Sequence, residues 1–385
     1  MKQLFLRLKR FCGYIAGFVF FISGILKLLD PVGAGLVMKE YFQFLHLGFM
    51  DAGATAAGVF FALAETVVGA ALITGVWRRC FALCAIILQC FFTILTLSLV
   101  IFQPQMDCGC FGEAIHLTHS QTFIKNLVLL ALLLIYYIPK KHLGETKKKK
   151  YVSFALVCAS VAAFSLYSLL YIPMADFTSL KPGIIINGQG STPEASYQAS
   201  FIYEKAGVQQ EFTLENLPDT TWSFVGTITT QNDAPERQSA NISIYDKEGN
   251  YADSLLTKGR TIIISFYKSE IAEQDLNAAQ ELLRVAQEAG FQPLLLTASV
   301  PVDSPYHYFC DYKTLITLNR SSGGATYVDN GYIVRKWSKR TLPTPEELAM
   351  MSSEDSTDTY IGRDTKTSLA FQGFLLYVFA IMLLL

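Results

Sequence analysis

Charge is what this chain has least of. Of its 385 residues, 16% are Asp, Glu, Lys or Arg, against about 25% in an ordinary soluble domain. The 31 Lys and Arg nearly balance the 32 Asp and Glu, leaving a formal net charge of -1. That balance excludes nucleic-acid binding driven by global charge, and an apolar content of 51% excludes a disordered chain. Walker, His-Glu-x-x-His and Gly-x-Gly-x-x-Gly patterns are all missing, so phosphate-loop, zincin and dinucleotide chemistry have no anchor here. No small-x-small cleavage site follows the first apolar run. Lys27 and Asp30 come next instead, and the run is expected to stay as a helix and not to leave as a signal peptide.

The charge that exists is unevenly placed. Residues 1–172 hold 15 Lys and Arg against 7 Asp and Glu; residues 173–366 hold 16 against 25; residues 367–385 hold none. An apolar basic half followed by an acidic polar half predicts a membrane domain and a soluble domain. Crossing a bilayer takes about 20 mostly apolar residues. Six runs approach that length: 13–29, 54–76, 80–102, 121–138, 151–172 and 369–385. They are expected to be helices, since lipid leaves open backbone groups unpaired. Lys2, Arg7, Lys9 and Arg10 precede the first run, Arg78 and Arg79 separate the second and third, and Lys140, Lys141 and the lysines at 147–150 separate the fourth and fifth. Alternate loops are therefore basic, which places them and the N-terminus in the cytoplasm. The loops 30–53 and 103–120, and the whole segment 173–366, then face outward. The lysine run reads as a topology anchor.

Five of the eight cysteines, Cys12, Cys80, Cys84, Cys90 and Cys158, lie in or beside the apolar runs and read as small apolar residues. Cys108 and Cys110 differ: they stand in QMDCGCFGE on the oxidising side. A disulfide needs Cα atoms about 4.4–6.8 Å apart, and Gly109 lets the backbone bend enough to meet that. So small a ring is strained, and a strained exposed disulfide exchanges readily. Three readings stand: a reversible redox pair, a permanent staple of the loop, or a metal site completed by His116 and His119. Ser120 is the expected N-cap of the following helix. Its positive end favours a thiolate while Asp107 opposes one, so the attacking cysteine stays open.

Polar residues inside the apolar runs carry the second signal. Glu65 falls mid-span, where a charge costs about 2.5–3.5 kcal/mol by insertion scales. Gln89 falls at a similar depth; Lys27 is nearer the outer surface and matches less well. Lys125 and Asn126 enter the fourth run about one turn in. Glu65, Gln89 and Lys125 either form a proton or quinone path below the cysteine loop or lock helices together by hydrogen bonds.

The soluble segment opens with short alternating runs such as SYQASFIYE and VQQEFTL, with a loop at 188–193. From Asn241 the pattern is a strand, turn and strand around Glu248 and Gly249. A buried strand TIIISFYK follows, then an amphipathic helix closing at Gly290 and a second buried strand QPLLLTAS. A short helix in YKTLITLN and a hairpin around Asn330 and Gly331 complete it. Cys310, alone in this half, reads as an inert buried thiol, with disulfide exchange with Cys108 or Cys110 as the alternative.

The residues GYIAGFVFFISGILKLLDPVGAGLVMKEY, AETVVGAALITGVWRR, DCGCFG and LTHSQTFIKN together resemble the MauE branch of the DoxX-like membrane proteins, over residues 10–140. The resemblance implies a four-helix membrane bundle and a role in maturing a disulfide-rich periplasmic protein. The bundle is also similar in outline to vitamin K epoxide reductase relatives, which pass electrons from thiols to a quinone; those carry C-x-x-C where this chain has C-x-C. The strand order of the soluble half resembles a thioredoxin-like domain of the TlpA and peroxiredoxin type. Where redox-active members carry C-x-x-C, this chain reads Lys268, Ser269, Glu270 and Ile271, and SSGGATY replaces the loop of the cis-proline. Such a domain is expected to dock partners without chemistry of its own.

The expected organisation is a MauE/DoxX-like four-helix membrane domain at 1–140 and a basic loop with a fifth helix at 141–172. A β-rich region at 173–237 and a thioredoxin-like α/β domain lacking C-x-x-C at 238–345 follow, then a linker at 346–366 and a sixth helix at 367–385. The expected protein is a multi-pass one of the bacterial inner membrane, its soluble domain periplasmic. It exchanges thiols and disulfides through Cys108 and Cys110 with a periplasmic client protein, and a membrane quinone is the cofactor that Glu65, Gln89 and Lys125 would serve. The competing reading is a non-catalytic envelope scaffold with a structural loop disulfide.

Overall fold

A computed structural model describes residues 2–138, 148–187, 197–205, 208–212, 222–231 and 239–384. Lys140, Lys141, Lys147 and the expected loop at 188–193 lie outside the described residues. The membrane part is built from α1 (Lys2–Leu29), α2 (Pro31–Phe44), α3 (Ala54–Thr74), α4 (Arg78–Phe102), α5 (His119–Tyr137) and α6 (Lys148–Leu170), with a short strand β1 (Cys110–Glu113) between α4 and α5. Among the described residues, five helices are long and apolar enough to cross a membrane: Arg7–Leu29, Gly48–Thr74, Arg78–Phe102, His119–Tyr137 and Lys148–Leu170. A shorter apolar stretch, Leu369–Leu383, belongs to the C-terminal helix.

Small residues let α1 and α3 approach closely. A Cβ on Gly24 would lie 2.2 Å from Thr66 Oγ1 and 2.6 Å from the Ala62 carbonyl; one on Gly69 would lie 2.4 Å from the Phe21 nitrogen. With no hydrophobic driving force between helices in lipid, contact at this range is the source of association energy.

The segment 30–53, read from the sequence as an outer loop, is mostly helical. Asp30 caps α2 by accepting from the Gly33 nitrogen at 2.9 Å, and Pro31 takes the first helical position, where its missing N–H is not needed. A 3-10 turn, Gly48–Gly53, leads into α3. The D-P pair carried this signal; α2 is too short to register as a span.

Outside the membrane part, the described residues form two sheets. β3 (Tyr197–Lys205), β4 (Val208–Phe212) and β5 (Ser223–Gln231) form a three-stranded antiparallel sheet. The larger sheet has eight strands. They are β2 (Ile185–Asn187), β6 (Ser239–Asn241), β7 (Ile244–Tyr245), β8 (Arg260–Phe266), β9 (Gln292–Thr297), β10 (His307–Cys310), β11 (Gly324–Asp329) and β12 (Tyr332–Trp337). Their order is β6-β2-β12-β11-β8-β9-β10-β7. α8 (Glu273–Glu288) links the parallel pair β8 and β9 and packs Leu282, Leu283 and Ala286 onto one face; α9 (Tyr312–Leu318) covers the other. Gly290 follows α8 with φ +89°, and the β11–β12 hairpin turns on Asn330 and Gly331, both at positive φ, as their spacing predicts.

Three expectations need correction here. The strand expected after Gly249 is reduced to a single bridge at Tyr251, followed by a helical turn, α7 (Ser254–Thr257). Thr118, not Ser120, caps α5: its hydroxyl accepts from the Gln121 nitrogen while Gln121 Oε1 accepts from the Thr118 nitrogen. The expected linker at 346–366 is helical, formed by α10 (Pro345–Ser353) and the start of α11 (Ser356–Leu384), whose apolar end packs Phe374 on Phe164 at 4.6 Å between ring centres.

Gly69→Leu should force α1 from α3 and lower the thermal unfolding midpoint in detergent, in line with an overpacking loss of about 1–3 kcal/mol. Gly373→Ala, at an open position on α11, should leave the midpoint unchanged.

Candidate functional site

A cavity of about 400 Å³ lies inside the membrane part, walled by α1, α2, α3, α4 and α5. Cys108, Gly109 and Cys110 line it, as do Glu65, Gln89 and Lys125. The structure thus brings together the cysteine pair and the three polar residues singled out in the sequence. Most of the remaining wall is apolar, including Phe20, Phe61, Phe92, Leu95 and Leu129.

The loop across this chamber is shaped by Gly109. Its φ is +59°, a conformation that side chains other than glycine adopt poorly, and a Cβ there would lie 2.3 Å from Val37 Cγ1 of α2. The carbonyls on either side are held from different helices. Tyr41 Oη of α2 donates to the Cys108 carbonyl at 2.9 Å, and Ser23 Oγ of α1 lies 2.6 Å from the Cys110 carbonyl.

Both sulfurs are free thiols, and they differ in surroundings. Cys108 is 5% exposed, while Cys110 is half-buried. Burial pushes the Cys108 thiol above its ordinary range; Cys110 and Asp107 add to that, whereas the Thr122 hydroxyl and the Lys125 ammonium act against it. Thr122 Oγ1 is itself buried and has no hydrogen-bond partner of good geometry among the described residues. Lys125 rests on the Phe111 ring, 4.8 Å from its centre.

Below the loop, Glu65 is 2% exposed and is not alone. Lys27 Nζ lies 2.5 Å from Glu65 Oε1, and Ser23 Oγ lies 2.6 Å from Glu65 Oε2. This corrects the expectation that Lys27 sits too near the surface to serve. Its long side chain bridges the difference in depth between the two backbones. Ser23 carries one hydroxyl proton and faces two acceptors, the Glu65 carboxylate and the Cys110 carbonyl, so it donates to one of them at a time. Gln89 does not join this group. Its Nε2 donates to the Asn126 carbonyl at 3.1 Å, and Asn126 Nδ2 donates to Thr96 Oγ1 at 3.1 Å, so these residues bind α4 to α5.

The four residues of the metal reading are not gathered. His116 Nδ1 faces Asp107 at 3.7 Å in an exposed pair, and His119 Nε2 lies 3.0 Å from the Met106 carbonyl. Among the described residues no group of three or more His, Cys, Asp and Glu is placed to hold a metal ion. Cys310 is fully buried in the α/β sheet, and burial pushes its thiol up to about 12.

Ser23, Tyr41 and Thr122 were not singled out from the sequence. Ser23 and Lys27 are four residues apart on one face of α1, a spacing that marks them as neighbours once Glu65 is known to need a partner.

Lys27→Met should strand Glu65 inside the bundle and destabilise it by about 3–5 kcal/mol, while the double variant Lys27→Met/Glu65→Gln should recover most of that loss. Unfolding in detergent reads both. Equal losses in the single and double variants would show that the two charges do not depend on each other.

Comparison with known proteins matches two stretches of the chain. Residues 4–139 match the family described as methylamine utilisation protein MauE. Residues 197–232, which contain the three-stranded sheet, match a domain of unknown function, DUF8463. No curated protein and no solved structure matches the chain. The N-terminal third is thus a MauE-like membrane part in a multi-pass membrane protein.

Proposed function

We propose that this protein is a membrane thiol–disulfide exchange factor of the bacterial inner membrane, acting through Cys108 and Cys110 on a periplasmic client. The observation that carries this reading is the shared chamber: two thiols one glycine apart line the same apolar cavity as a buried ion pair. A permanent staple has no use for such a cavity. The half-buried Cys110 is the sulfur a client reaches first, and Cys108, beside Thr122 and Lys125, is its resolving partner. In exchange, a client thiolate attacks the Cys110 sulfur of the disulfide and Cys108 leaves as a thiolate. A second client thiolate then displaces Cys110, so the client is oxidised and the pair becomes a dithiol. Two electrons and two protons arrive with that dithiol and must leave again.

The chamber fits a quinone ring in size and lining, since small-molecule sites run to about 300–1,000 Å³ with apolar walls and few polar groups. Lys27, Glu65 and Lys125 are the groups that would hold it. A bound quinone would supply an acceptor for two electrons and two protons. Ser23 and Glu65 would hold a proton between the Cys110 carbonyl and Lys27.

We infer that the α/β domain is thioredoxin-like. A parallel β8–α8–β9 unit flanked by the antiparallel β11–β12 hairpin supports this, as does the sequence pattern. It serves the membrane part without cysteine chemistry, because Cys310 is sealed in its core.

Stepwise alkylation with mass spectrometry, across graded glutathione buffers, tests the proposal. Cys108 and Cys110 should pass between dithiol and disulfide, and Cys110→Ser and Cys108→Ser should each abolish client oxidation, since neither variant can form the disulfide that the client attacks. Labelling of Cys108 should rise only at pH above the ordinary thiol range. A pair locked in one state throughout would overturn the proposal and favour the scaffold.

A further inference from the structure

The cysteine loop is held from the soluble domain as well as from the bundle. Arg320 follows α9, and its side chain is 4% exposed. Its Nε and Nη2 lie 2.9 and 2.8 Å from Asp30 Oδ2, its Nη2 lies 2.9 Å from Glu113 Oε1, and its Nη1 donates to the Ile316 carbonyl at 3.0 Å. Its own carbonyl accepts from Tyr267 Oη at 3.0 Å. The two carboxylates are not equivalent interface groups. Asp30 is the N-cap of α2, the helix that carries Val37 against Gly109 and Tyr41 against the Cys108 carbonyl. Glu113 closes β1, three residues after Cys110. Gly33 leaves the space that the contact needs, since a Cβ there would lie 2.4 Å from Asp30 Oδ2 and 3.1 Å from Arg320 Nη2.

We propose that Arg320 is a positioning residue for the Cys108–Cys110 loop, the point at which the α/β domain sets the geometry and accessibility of the two sulfurs. Its use rests on the thiol-exchange reading above. One guanidinium bridges two carboxylates that belong to opposite ends of the loop's support, and its planar fork reaches both at once, which an ammonium does less well. Without it, the carboxylates of Asp30 and Glu113 repel each other, and α2 and β1 separate. Gly109 then loses its wall and Cys108 its cover.

A second buried pair separates positioning from simple adhesion. Lys336 of β12, 4% exposed, lies 2.7 Å from Oδ2 of Asp176, which follows α6, so this pair ties the sheet to a different helix from the one Asp30 caps. Burial holds the Lys336 ammonium below the ordinary lysine range, and Arg320 adds to this, while Asp176 and Asp30 act against it. Breaking this pair weakens the junction on its Asp176 side and leaves the contacts of Arg320 with Asp30 and Glu113 in place.

The test uses the full chain in lipid nanodiscs, with Arg320→Gln, Arg320→Lys, Glu113→Gln and Lys336→Met. Maleimide labelling of Cys108 and the dithiol–disulfide ratio in a fixed glutathione buffer are read for each. Arg320→Gln should speed Cys108 labelling by about tenfold or more, as a local opening exposes it, and shift the ratio. Glu113→Gln should do so in part, Arg320→Lys should lie between it and wild type, and Lys336→Met should match wild type. If Arg320→Gln alters neither quantity, or Lys336→Met alters both as much, Arg320 is only part of the junction. Faster labelling of a pair that never cycles would overturn the redox reading while leaving the hold of Arg320 on the loop in place.

Discussion

A carboxylate inside a lipid bilayer must be matched, and the rest of the membrane part is arranged around the match made for Glu65. Lys27 reaches it across the α1–α3 contact, and that contact is close because Gly24 and Gly69 have no side chains to hold the helices apart. Ser23 then links the same carboxylate to the backbone of Cys110. One ion pair therefore registers α1 against α3 and registers the cysteine loop against both. Removing either charge is more damaging than removing both, because what lipid penalises is the unmatched partner.

Much of this was legible in the sequence, and the parts that were not share a cause. The spans follow from apolar runs, and the cysteine pair, Glu65, Gln89 and Lys125 follow from polar residues in the wrong solvent. Their meeting in one chamber was foreseeable only as a rough matching of depths along separate helices. That matching failed for Lys27, because counting backbone rise ignores a side chain that can travel most of a helical turn along the bundle. It also overvalued Gln89, whose amide is spent on Asn126. α2 was missed because its length suits neither a span nor a loop, although Asp30 and Pro31 announce a helix start. Arg320 meets Asp30 across 290 positions of chain, and no local pattern marks an arginine for a carboxylate at that separation.

The α/β domain meets the membrane part through a loop and a strand of its sheet, not through a cysteine. Its sheet is well ordered, its helices cover both faces, and its one cysteine is sealed in the core. The loop after α9 is turned toward the bundle, where Arg320 meets the membrane part. Two buried cations of the domain, Arg320 and Lys336, both point to carboxylates of the membrane part or of the segment that follows α6.

α2 has compartments on both sides. Ala34, Val37, Met38 and Tyr41 line the inner chamber, while Val32, Gly35, Leu36 and Lys39 line a cleft of about 1630 Å³ between the bundle and the α/β domain. A partition one helix thick has no slack of its own: whatever presses on its watery side alters the room left on its oily side. The two spaces share that helix as their common wall.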